Sequence, residues 1–361
     1  MATTRLYIQS AFSGKRVFVT GHTGFKGAWF IQLLKHLGAE VCAYALPADE
    51  PSLYHAIASD NHCQSVIGDI RDAERLAATV EKFQPNYVFH LAAQSLVRES
   101  YANPLYTFDV NAIGTANLLQ ALKRCTAGCT AIIITTDKVY ENNEWVYPYR
   151  ETDPLGGFDP YSASKACAEI VTQSFVRSFF NQDRFSEHGV SIATARAGNV
   201  IGGGDWAKDR LIPDIARSLQ AGEELIVRSP QATRPWQHVL EPLYAYLLLA
   251  ANLHTAPEKS GGSWNIGPEL EDNMSVRQVV ETALDVWGSG SYRVEVPKER
   301  LHEAGLLSLD VSKARRELGW KPRYNARQAI TMTMAWYSGY FANPQQATKL
   351  VDADIERFLM D

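Results

Sequence analysis

Short apolar runs rich in β-branched residues alternate, along the first half of the chain, with longer segments whose apolar positions recur at helical spacing. Residues 16–20 read RVFVT, a compact apolar run, and residues 29–37 follow with a helix-type pattern. Further strand-type runs occupy residues 40–45, 64–67, 87–91, 131–135 and 191–195. Because this alternation requires a parallel sheet with helices on both faces, we predict an α/β fold with a doubly wound sheet.

The pattern changes after residue 199, where a run of glycines at positions 202–204 is followed by short segments separated by prolines. This punctuation predicts a smaller C-terminal α/β substrate lobe that crosses back to the main sheet. The predicted division of the chain is an N-terminal extension at 1–13, a sheet domain at 14–198 with a return segment at about 239–267, and a lobe at 199–238 and 268–361.

Composition narrows the classes of function. The chain has 361 residues, of which 46% are apolar, and a net charge of −5 without long runs of Lys or Arg, which argues against nucleic acid or an anionic membrane surface as a partner. The longest apolar stretch, residues 243–251, is too short to span a bilayer, and residues 1–9 do not resemble a signal peptide. Five scattered cysteines are typical of reduced thiols, and Cys125 and Cys129 lack a second pair of ligands. We therefore expect a cytoplasmic protein without a metal site.

A glycine-rich turn lies directly between the first strand and its helix. Gly21, Gly24 and Gly27 in TGHTGFKG permit a tight turn, and the helix N-terminus offers unpaired amides to a pyrophosphate. The alternative is a turn that merely needs small residues, but the position after the first strand favours a Rossmann-type dinucleotide site. The residues predicted to contact the dinucleotide are Gly21, His22, Gly24, Phe25, Lys26, Gly27, Asp69, Ile70, Leu91, Ala92, Ala93, Tyr161 and Lys165.

The contacts beyond the turn are less specific. Asp69 and Ile70 follow a strand, which suits the adenine edge, but simple core packing is an alternative for Ile70 and for the small residues after residue 90. Ala45 occupies the end of the second strand, where a carboxylate usually binds the adenosine ribose. We therefore expect weak cofactor affinity, and the residue chemistry alone leaves NADP open.

Tyr161 and Lys165 lie four residues apart in YSASK, which places them on one face of a helix. A neighbouring ammonium group lowers the pKa of a phenol from about 10 and favours the phenolate. Tyr161 could then accept a proton from a hydroxyl whose carbon gives up hydride. The pair alone is common on helices, but together with the glycine turn and an upstream strand ending in ITTD it predicts hydride transfer.

Six segments, in the order TGHTGFKG, HLAAQS, TTDKVY, YSASK, ARAGNVIGGGD and RPWQHV, resemble the extended short-chain dehydrogenase/reductases that act on nucleotide sugars. The resemblance runs from about residue 14 to at least residue 320, where DVSKARRELGW also fits the family. Within the family, GHTGFKGAW, TDKVYEN, AGNVIGGGDWAKDRLIPD and RPWQHVLEPL look most like the 4,6-dehydratases of CDP-glucose.

This resemblance implies NAD as cofactor and conversion of CDP-glucose to CDP-4-keto-6-deoxyglucose and water. It also implies a place in deoxysugar and O-antigen lipopolysaccharide synthesis, and a homodimer.

Similar dehydratases carry Thr, Asp and Glu after a central strand, whereas this chain has Thr136, Asp137 and Lys138. The resemblance implies that Thr136 binds the C4 oxygen, that Asp137 is the acid and that Lys138 is a candidate base. The alternative is that Lys138 is a structural cation paired with Glu141 or Glu169, so the C5 base stays unassigned.

The nucleoside diphosphate requires cations and amides from the second lobe. Arg234 in TRPWQHV is the best candidate because a guanidinium group binds phosphate oxygens in a fork, whereas Arg210 and Arg277 could equally be surface charges. By resemblance, the residues predicted to bind substrate are Thr136, Asn199, Arg210, Leu211, Ile212, Arg234, Arg277, His302 and Glu303.

Two other functions remain at this stage. A nucleotide-sugar 4-epimerase or reductase would need only Tyr161, Lys165 and Thr136, and Asp137 followed by a second titratable group favours elimination instead. A non-catalytic dinucleotide sensor would not need the Tyr161–Lys165 pair at all.

Overall fold

The computed structural model describes residues 2–208, 210–295 and 306–360. Its strands are β1 (Arg16–Thr20), β2 (Glu40–Ala45), β3 (Gln64–Ile67), β4 (Tyr87–His90), β5 (Cys129–Ile134), β6 (Val190–Ala197), β7 (Val200–Ile201), β8 (Leu225–Val227), β9 (Thr233–Arg234), β10 (Gln237–His238), β11 (Gly262–Ile266), β12 (Met274–Ser275) and β13 (Tyr292–Val294). Its α-helices are α1 (Ala2–Phe12), α2 (Phe25–His36), α3 (Leu53–Ala56), α4 (Ala73–Phe83), α5 (Val97–Ala102), α6 (Pro104–Phe108), α7 (Gly114–Ala121), α8 (Pro160–Ser178), α9 (Phe185–His188), α10 (Leu211–Ala221), α11 (Leu240–Thr255), α12 (Pro257–Ser260), α13 (Val276–Trp287), α14 (Ser312–Glu317), α15 (Ala326–Ala342) and α16 (Ala347–Met360).

The central sheet has seven parallel strands in the order β11-β6-β5-β4-β1-β2-β3. The chain runs outward from β1 to β3, returns to β4 on the other side of β1, and continues to β11. The strand order therefore reverses between β1 and β4, and ligands of such sheets bind at the carboxyl ends of the strands beside this point. The predicted Rossmann-type doubly wound fold is confirmed.

Side chains on the two faces of the sheet belong to separate apolar clusters. Val17 and Val19 of β1 belong to one cluster and Phe18 to the other, as expected when successive side chains point to opposite faces. The cluster of Val17 and Val19 is the larger, and it extends through α11 into the C-terminal helices. Packing on both faces explains why β4, β5 and β6 are buried along their whole length.

The segment that the sequence set apart as an N-terminal extension contains a helix of the main fold. Ile8 and Phe12 of α1 are fully buried, and the Phe12 ring lies 4.5 Å from the Tyr87 ring. Gln9 donates a hydrogen bond of 3.0 Å to the carbonyl of Leu37. Helix α1 thus packs against the sheet through Phe12.

The chain returns to the sheet after the short strands near residue 240. Helix α11 packs on β5 and β6, and β11 then pairs with β6 from Gly262–Ala193 to Ile266–Ala197. The lobe contains the small strand pairs β7–β10, β9–β12 and β8–β13. The exact division into domains remains a prediction. None of the described helices is long and apolar enough to cross a membrane.

Candidate active site

The glycine turn after β1 fits a dinucleotide pyrophosphate. Gly21 has a φ of +79°, and a Cβ there would lie 2.6 Å from the amide nitrogen of Ala92. A Cβ on Gly27 would lie 2.2 Å from the carbonyl oxygen of Gly21, so the fold itself requires both glycines. Gly24 differs, because its φ is −77° and a Cβ would meet only Gly21 O at 3.5 Å. Its missing side chain leaves the N-terminus of α2 open to a ligand.

His22 points into the protein although the sequence predicts it as a cofactor contact. Its Nε2 lies 2.9 Å from Ser65 Oγ, and its ring packs edge-on against Tyr54 at 5.3 Å. Burial lowers the pKa of His22 to about 4 against the opposing effect of Asp60. The imidazole is therefore neutral near pH 7, and it packs on the side of the turn that faces the protein interior.

Asp69 and its neighbours support the far side of the predicted cofactor site. Asp69 accepts three hydrogen bonds from the Arg71 side chain, which lower the pKa of its carboxyl group. Ile70 is buried beside Gly114, where a Cβ would lie 2.5 Å from Ile70 Cδ1. The Asp69 carboxylate is thus already engaged with Arg71, and its contact with the dinucleotide stays a prediction.

The small residues after β4 are half-buried beside the turn, as close packing of a dinucleotide against the sheet requires. They are Leu91, Ala92 and Ala93.

Tyr161 and Thr136 meet at the carboxyl end of β5. Asp159 caps α8 by accepting from Ser162 N at 3.0 Å, which places Tyr161 in the first turn of the helix. Tyr161 is half-buried, and the Thr136 side chain lies close enough to its phenol to oppose the effect of burial on the Tyr161 pKa. Burial raises the pKa of the Tyr161 phenol, and Lys138 is the cation that most opposes this shift.

Lys165 has a different contact from the one that the sequence predicts. Its Nζ donates to the carbonyl of Ile134 at 2.9 Å, at the end of β5. Burial lowers the pKa of Lys165 to about 8, and Glu169, one turn along α8, opposes this shift. Sequence reasoning assigned the lowering of the Tyr161 pKa to Lys165, whereas in the structure Lys138 and Arg210 are the cations that lower it most.

Asp137 and Lys138 form an ion pair in the single helical turn that follows β5. Lys138 Nζ lies 3.6 Å from Asp137 Oδ1, and Thr136 Oγ1 donates to the same oxygen at 3.0 Å. Asp137 is buried, and a Cβ on Gly198 would lie 2.8 Å from Asp137 Oδ2, so the glycine leaves room for the carboxylate. The alternative partner Glu169 pairs with Arg196 instead.

Lys26 contributes to the same centre, although the sequence places it among the cofactor contacts. Burial, followed by Arg210 and Lys165, lowers the pKa of Lys26 to about 8. Its Nζ lies 5.9 Å from the ring centre of Tyr246. The turn after β1 thus carries one cation toward the reaction centre.

The three arginines that the sequence predicts as phosphate contacts differ in their burial and in their position relative to the reaction centre. Arg210 precedes α10, donates to Asp205 Oδ2 at 2.9 Å and acts electrostatically on Tyr161, so it borders the reaction centre. Arg234 is half-buried on β9 and donates to the carbonyl of Thr233 at 2.9 Å. Arg277 is exposed at the start of α13, where it donates to Tyr292 Oη at 3.4 Å.

The other predicted substrate residues are half-buried or buried, apart from two. Leu211 and Ile212 begin α10, with Ile212 fully buried, and Asn199 is half-buried between β6 and β7. His302 and Glu303 lie outside the described residues.

A cleft of about 260 Å³, counting space open to solvent, lies beside this centre. Gly198 and Pro235 line it on the side of Asp137, and Glu269, Asn273 and Ser308 line it on the side of the lobe. Sequence reasoning did not single out these last three residues, because Glu269 and Asn273 flank one short helical turn and Ser308 comes from a separate segment, without a shared motif. Within residues 2–208, 210–295 and 306–360, no group of His, Cys, Asp and Glu side chains could hold a metal ion.

Sequence reasoning also missed a buried ion pair behind the site, formed by Glu169 and Arg196. Two signals could have found it. Glu169 follows Lys165 by four residues on the same helix face, and Arg196 is a charged residue in an otherwise uncharged, buried strand.

These features define a Rossmann-type enzyme site in which a Tyr/Lys pair faces a Thr-Asp-Lys segment. Residues 18–333 match the family model described as GDP-mannose 4,6 dehydratase, and the chain belongs to that family. The resemblance to nucleotide-sugar short-chain dehydrogenase/reductases is thereby confirmed.

Among individual proteins, the chain is similar to the CDP-glucose 4,6-dehydratase of Salmonella typhimurium strain LT2, with 47% identity over 91% of this chain and 92% of that protein. The dTDP-glucose 4,6-dehydratase of Streptomyces venezuelae, solved with NAD bound, has a TM-score of 0.75 and 25% identity, over 91% of this chain and 99% of that one. A UDP-glucose 4-epimerase of Stenotrophomonas maltophila shares the fold, with a TM-score of 0.77 and 24% identity over 90% and 98%.

Proposed function

We propose that the chain is an NAD-dependent lyase that converts CDP-glucose to CDP-4-keto-6-deoxyglucose and water. The observation that carries this proposal is the Asp137–Lys138 pair, which lies beside Tyr161 and Thr136. Oxidation and reduction at C4 alone would require only Tyr161, Thr136 and Lys165. The similarity to a CDP-glucose 4,6-dehydratase at 47% identity supports both the reaction and the nucleotide.

The residues divide the reaction into two stages. Tyr161 accepts the proton of the C4 hydroxyl while Thr136 hydrogen-bonds the C4 oxygen, and the resulting ketone makes the C5 proton acidic. Asp137 then protonates the departing C6 hydroxyl, and Lys138 is the candidate that removes the C5 proton. When bound, NAD would supply the reversible hydride acceptor for this reaction, with no net oxidation.

The substrate contacts follow from the position of the cations. Arg210 borders the reaction centre, and Arg234 lies in the adjoining strand pair of β9 with β12, so both suit a diphosphate that extends from the sugar. Arg277 is a weaker candidate because it is exposed and contacts Tyr292. The cleft residues Glu269 and Asn273 are further candidates for contacts with the nucleotide sugar.

We also infer a cytoplasmic homodimer. Helices α6 and α8 carry large apolar side chains on the surface of the monomer, with Leu105 84% exposed and Ile170 56% exposed, and Ile113 between α6 and α7 is 53% exposed. Two helix hairpins of this kind can pack as a symmetric four-helix contact around a twofold axis.

The experiment is to incubate the purified protein with NAD and a panel of CDP-, dTDP-, UDP- and GDP-sugars, and to identify products by mass spectrometry. We expect CDP-glucose alone to give a product lighter by one water, with incorporation of solvent hydrogen at C5. The Tyr161→Phe variant is the control for background conversion. A product of unchanged mass would indicate an epimerase, and absence of turnover with every sugar would overturn the proposal.

A further inference from the structure

An ion pair that neither Tyr161 nor Lys138 contacts is buried behind the candidate site. Arg196 NH2 lies 2.9 Å from Glu169 Oε2, and the two side chains are 1% and 0% exposed. Removing two charges from water is costly, and further hydrogen bonds to the pair offset part of that cost. Thr194 and Ser263 donate to Glu169 Oε2 at 2.7 and 3.1 Å, whereas Arg196 Nε is buried without a hydrogen-bond partner among the described residues.

The pair is connected to both ends of the segment that carries the candidate acid and base. At the beginning of the segment, Thr135 Oγ1 donates to Glu169 Oε1 at 2.5 Å. At its end, Tyr140 Oη accepts from Arg196 NH1 at 2.8 Å and donates to Asn265 Oδ1 at 2.6 Å. Residues 136–138 lie between these two attachments.

The same pair is connected to the helix that carries the hydride-transfer residues. Glu169 lies one turn after Lys165 and two turns after Tyr161 on α8, while Arg196 lies on β6, next to β5 in the sheet. One carboxylate and one guanidinium group therefore join helix α8, strand β6 and both ends of the catalytic segment. The fixed geometry of a guanidinium group suits this role better than apolar packing would.

We propose that Glu169 and Arg196 are positioning residues that hold Asp137 and Lys138 in register with Tyr161. This inference rests on the proposed dehydratase function and assigns the pair no contact with substrate. Elimination requires the C5 base and the C6 acid to be placed together relative to the C4 ketone, and small displacements of reacting groups reduce rates strongly. Loss of the pair should therefore lower kcat more than it changes KM.

Glu169 has a second, electrostatic effect on the centre. It opposes the lowering of the Lys165 pKa that burial causes, so its carboxylate keeps the ammonium protonated at higher pH. The titratable groups that interact electrostatically with Lys165 are Glu169 of α8, Lys26 of α2 and His90 of β4. Glu169 is the anion among these three groups.

Two threonines provide a matched test of positioning. Thr135 and Thr194 are both buried, and each donates one hydrogen bond to Glu169, but only Thr135 belongs to the catalytic segment. Thr135→Val and Thr194→Val each remove one such bond with little change in volume. We expect Thr135→Val to lower kcat for CDP-glucose by about tenfold or more with KM nearly unchanged, and Thr194→Val to change kcat by less than about twofold. Both should lower the Tm by similar amounts.

Equal losses of kcat in the two variants, or unchanged kcat in both, would overturn the inference. The pH profile of Glu169→Gln adds a readout that a purely structural role would not move. Without the negative charge, the alkaline limb of kcat should shift to lower pH, and an unmoved limb would contradict the electrostatic part. If Glu169→Gln does not fold, the threonine pair decides alone. Failure of the wild-type protein to turn over CDP-glucose would instead overturn the proposed function.

Discussion

At the scale of single residues, Lys138 bears on two steps of the proposed reaction. Its ammonium group lies 3.6 Å from Asp137 Oδ1, and it is also the cation that most lowers the pKa of Tyr161. In the proposed reaction, a change at Lys138 should therefore alter both the removal of the C5 proton and the acceptance of the C4 hydroxyl proton. The two effects can be separated because they appear in different measurements.

We predict that Lys138→Met abolishes exchange of the C5 hydrogen with solvent while C4 oxidation remains measurable in a single turnover. The acidic limb of the oxidation rate should also move to higher pH, because the Tyr161 phenol loses the cation that favours its phenolate. Rapid-mixing absorbance of NADH and proton exchange by NMR measure the two effects. Lys82→Met, on the exposed face of α4, is the control. Normal C5 exchange in Lys138→Met would exclude this lysine as the base.

The residue types of the centre could be predicted from the sequence, but their pairings could not. The spacing of Tyr161 and Lys165 on one helix and the position of Thr136 after a strand are local features that the sequence shows directly. The direction of Lys26, which leaves the glycine turn toward Arg210 and Lys165, depends on residues far away in the chain. A motif fixes which residues share an element, whereas the partner of a charged side chain depends on how the elements pack.

At the scale of elements, the turn between β1 and α2 contains glycines that the fold requires and one glycine that we expect a ligand to require. A Cβ on Gly27 would collide with Gly21 O at 2.2 Å, whereas one on Gly24 would have ordinary contact at 3.5 Å. We predict that Gly27→Ala lowers the free energy of unfolding by about 1–3 kcal/mol, and that Gly24→Ala changes it by less than about 0.5 kcal/mol.

The order of the two variants should be reversed for cofactor binding, when the Kd for NAD is measured on the folded protein. Gly24→Ala places a methyl group where the pyrophosphate must approach the helix N-terminus, so we expect its Kd for NAD to rise by about tenfold or more. Thermal unfolding without NAD and calorimetric titration with NAD provide the two measurements. Wild-type affinity in Gly24→Ala would show that the dinucleotide does not pass this glycine.

The sequence predicted elements best where the local pattern is sufficient. The fully buried strands were placed within a few residues, since continuous apolar runs identify them. Helix α2 begins at Phe25 although the apolar pattern starts near residue 29, because its first turn carries the lysine and glycine of the ligand-binding loop. Helix α1 was not recognised, because only its contact with Tyr87 and α11 reveals which residues are buried.

At the scale of the whole molecule, the exposed apolar side chains on α6 and α8 bear on assembly. We predict that Ile170→Glu shifts the protein from dimer to monomer, because a carboxylate would have to be desolvated in the proposed helix contact. Sedimentation velocity measures the change. Leu6→Glu, which places the same charge on an exposed position of α1, is the matched control. Equal sedimentation coefficients for wild type and Ile170→Glu would place the contact elsewhere.

The junction between the sheet domain and the C-terminal helices contains another buried carboxyl group, Glu241 of α11. Its Oε1 accepts from the amides of Arg323 and Tyr324, both at 2.8 Å, and its side chain is fully buried. Burial raises the pKa of Glu241 from 4.5 to about 7. Because the folded-state pKa is raised, this group adds stability that is fully present below about pH 4.5 and is lost as the pH rises through about 7.

Glu241→Gln keeps an oxygen that can accept both amide hydrogen bonds and removes the charge that burial disfavours. We therefore predict that it raises the free energy of unfolding by about 1–3 kcal/mol near pH 8 and changes it little near pH 4.5. Urea unfolding at both pH values measures the difference, and Glu258→Gln, at an exposed position of α12, should change neither. A loss of stability in Glu241→Gln near pH 8 would mean that the carboxylate is stabilised at this junction by Arg323, whose guanidinium group stacks on Tyr244 at 4.6 Å.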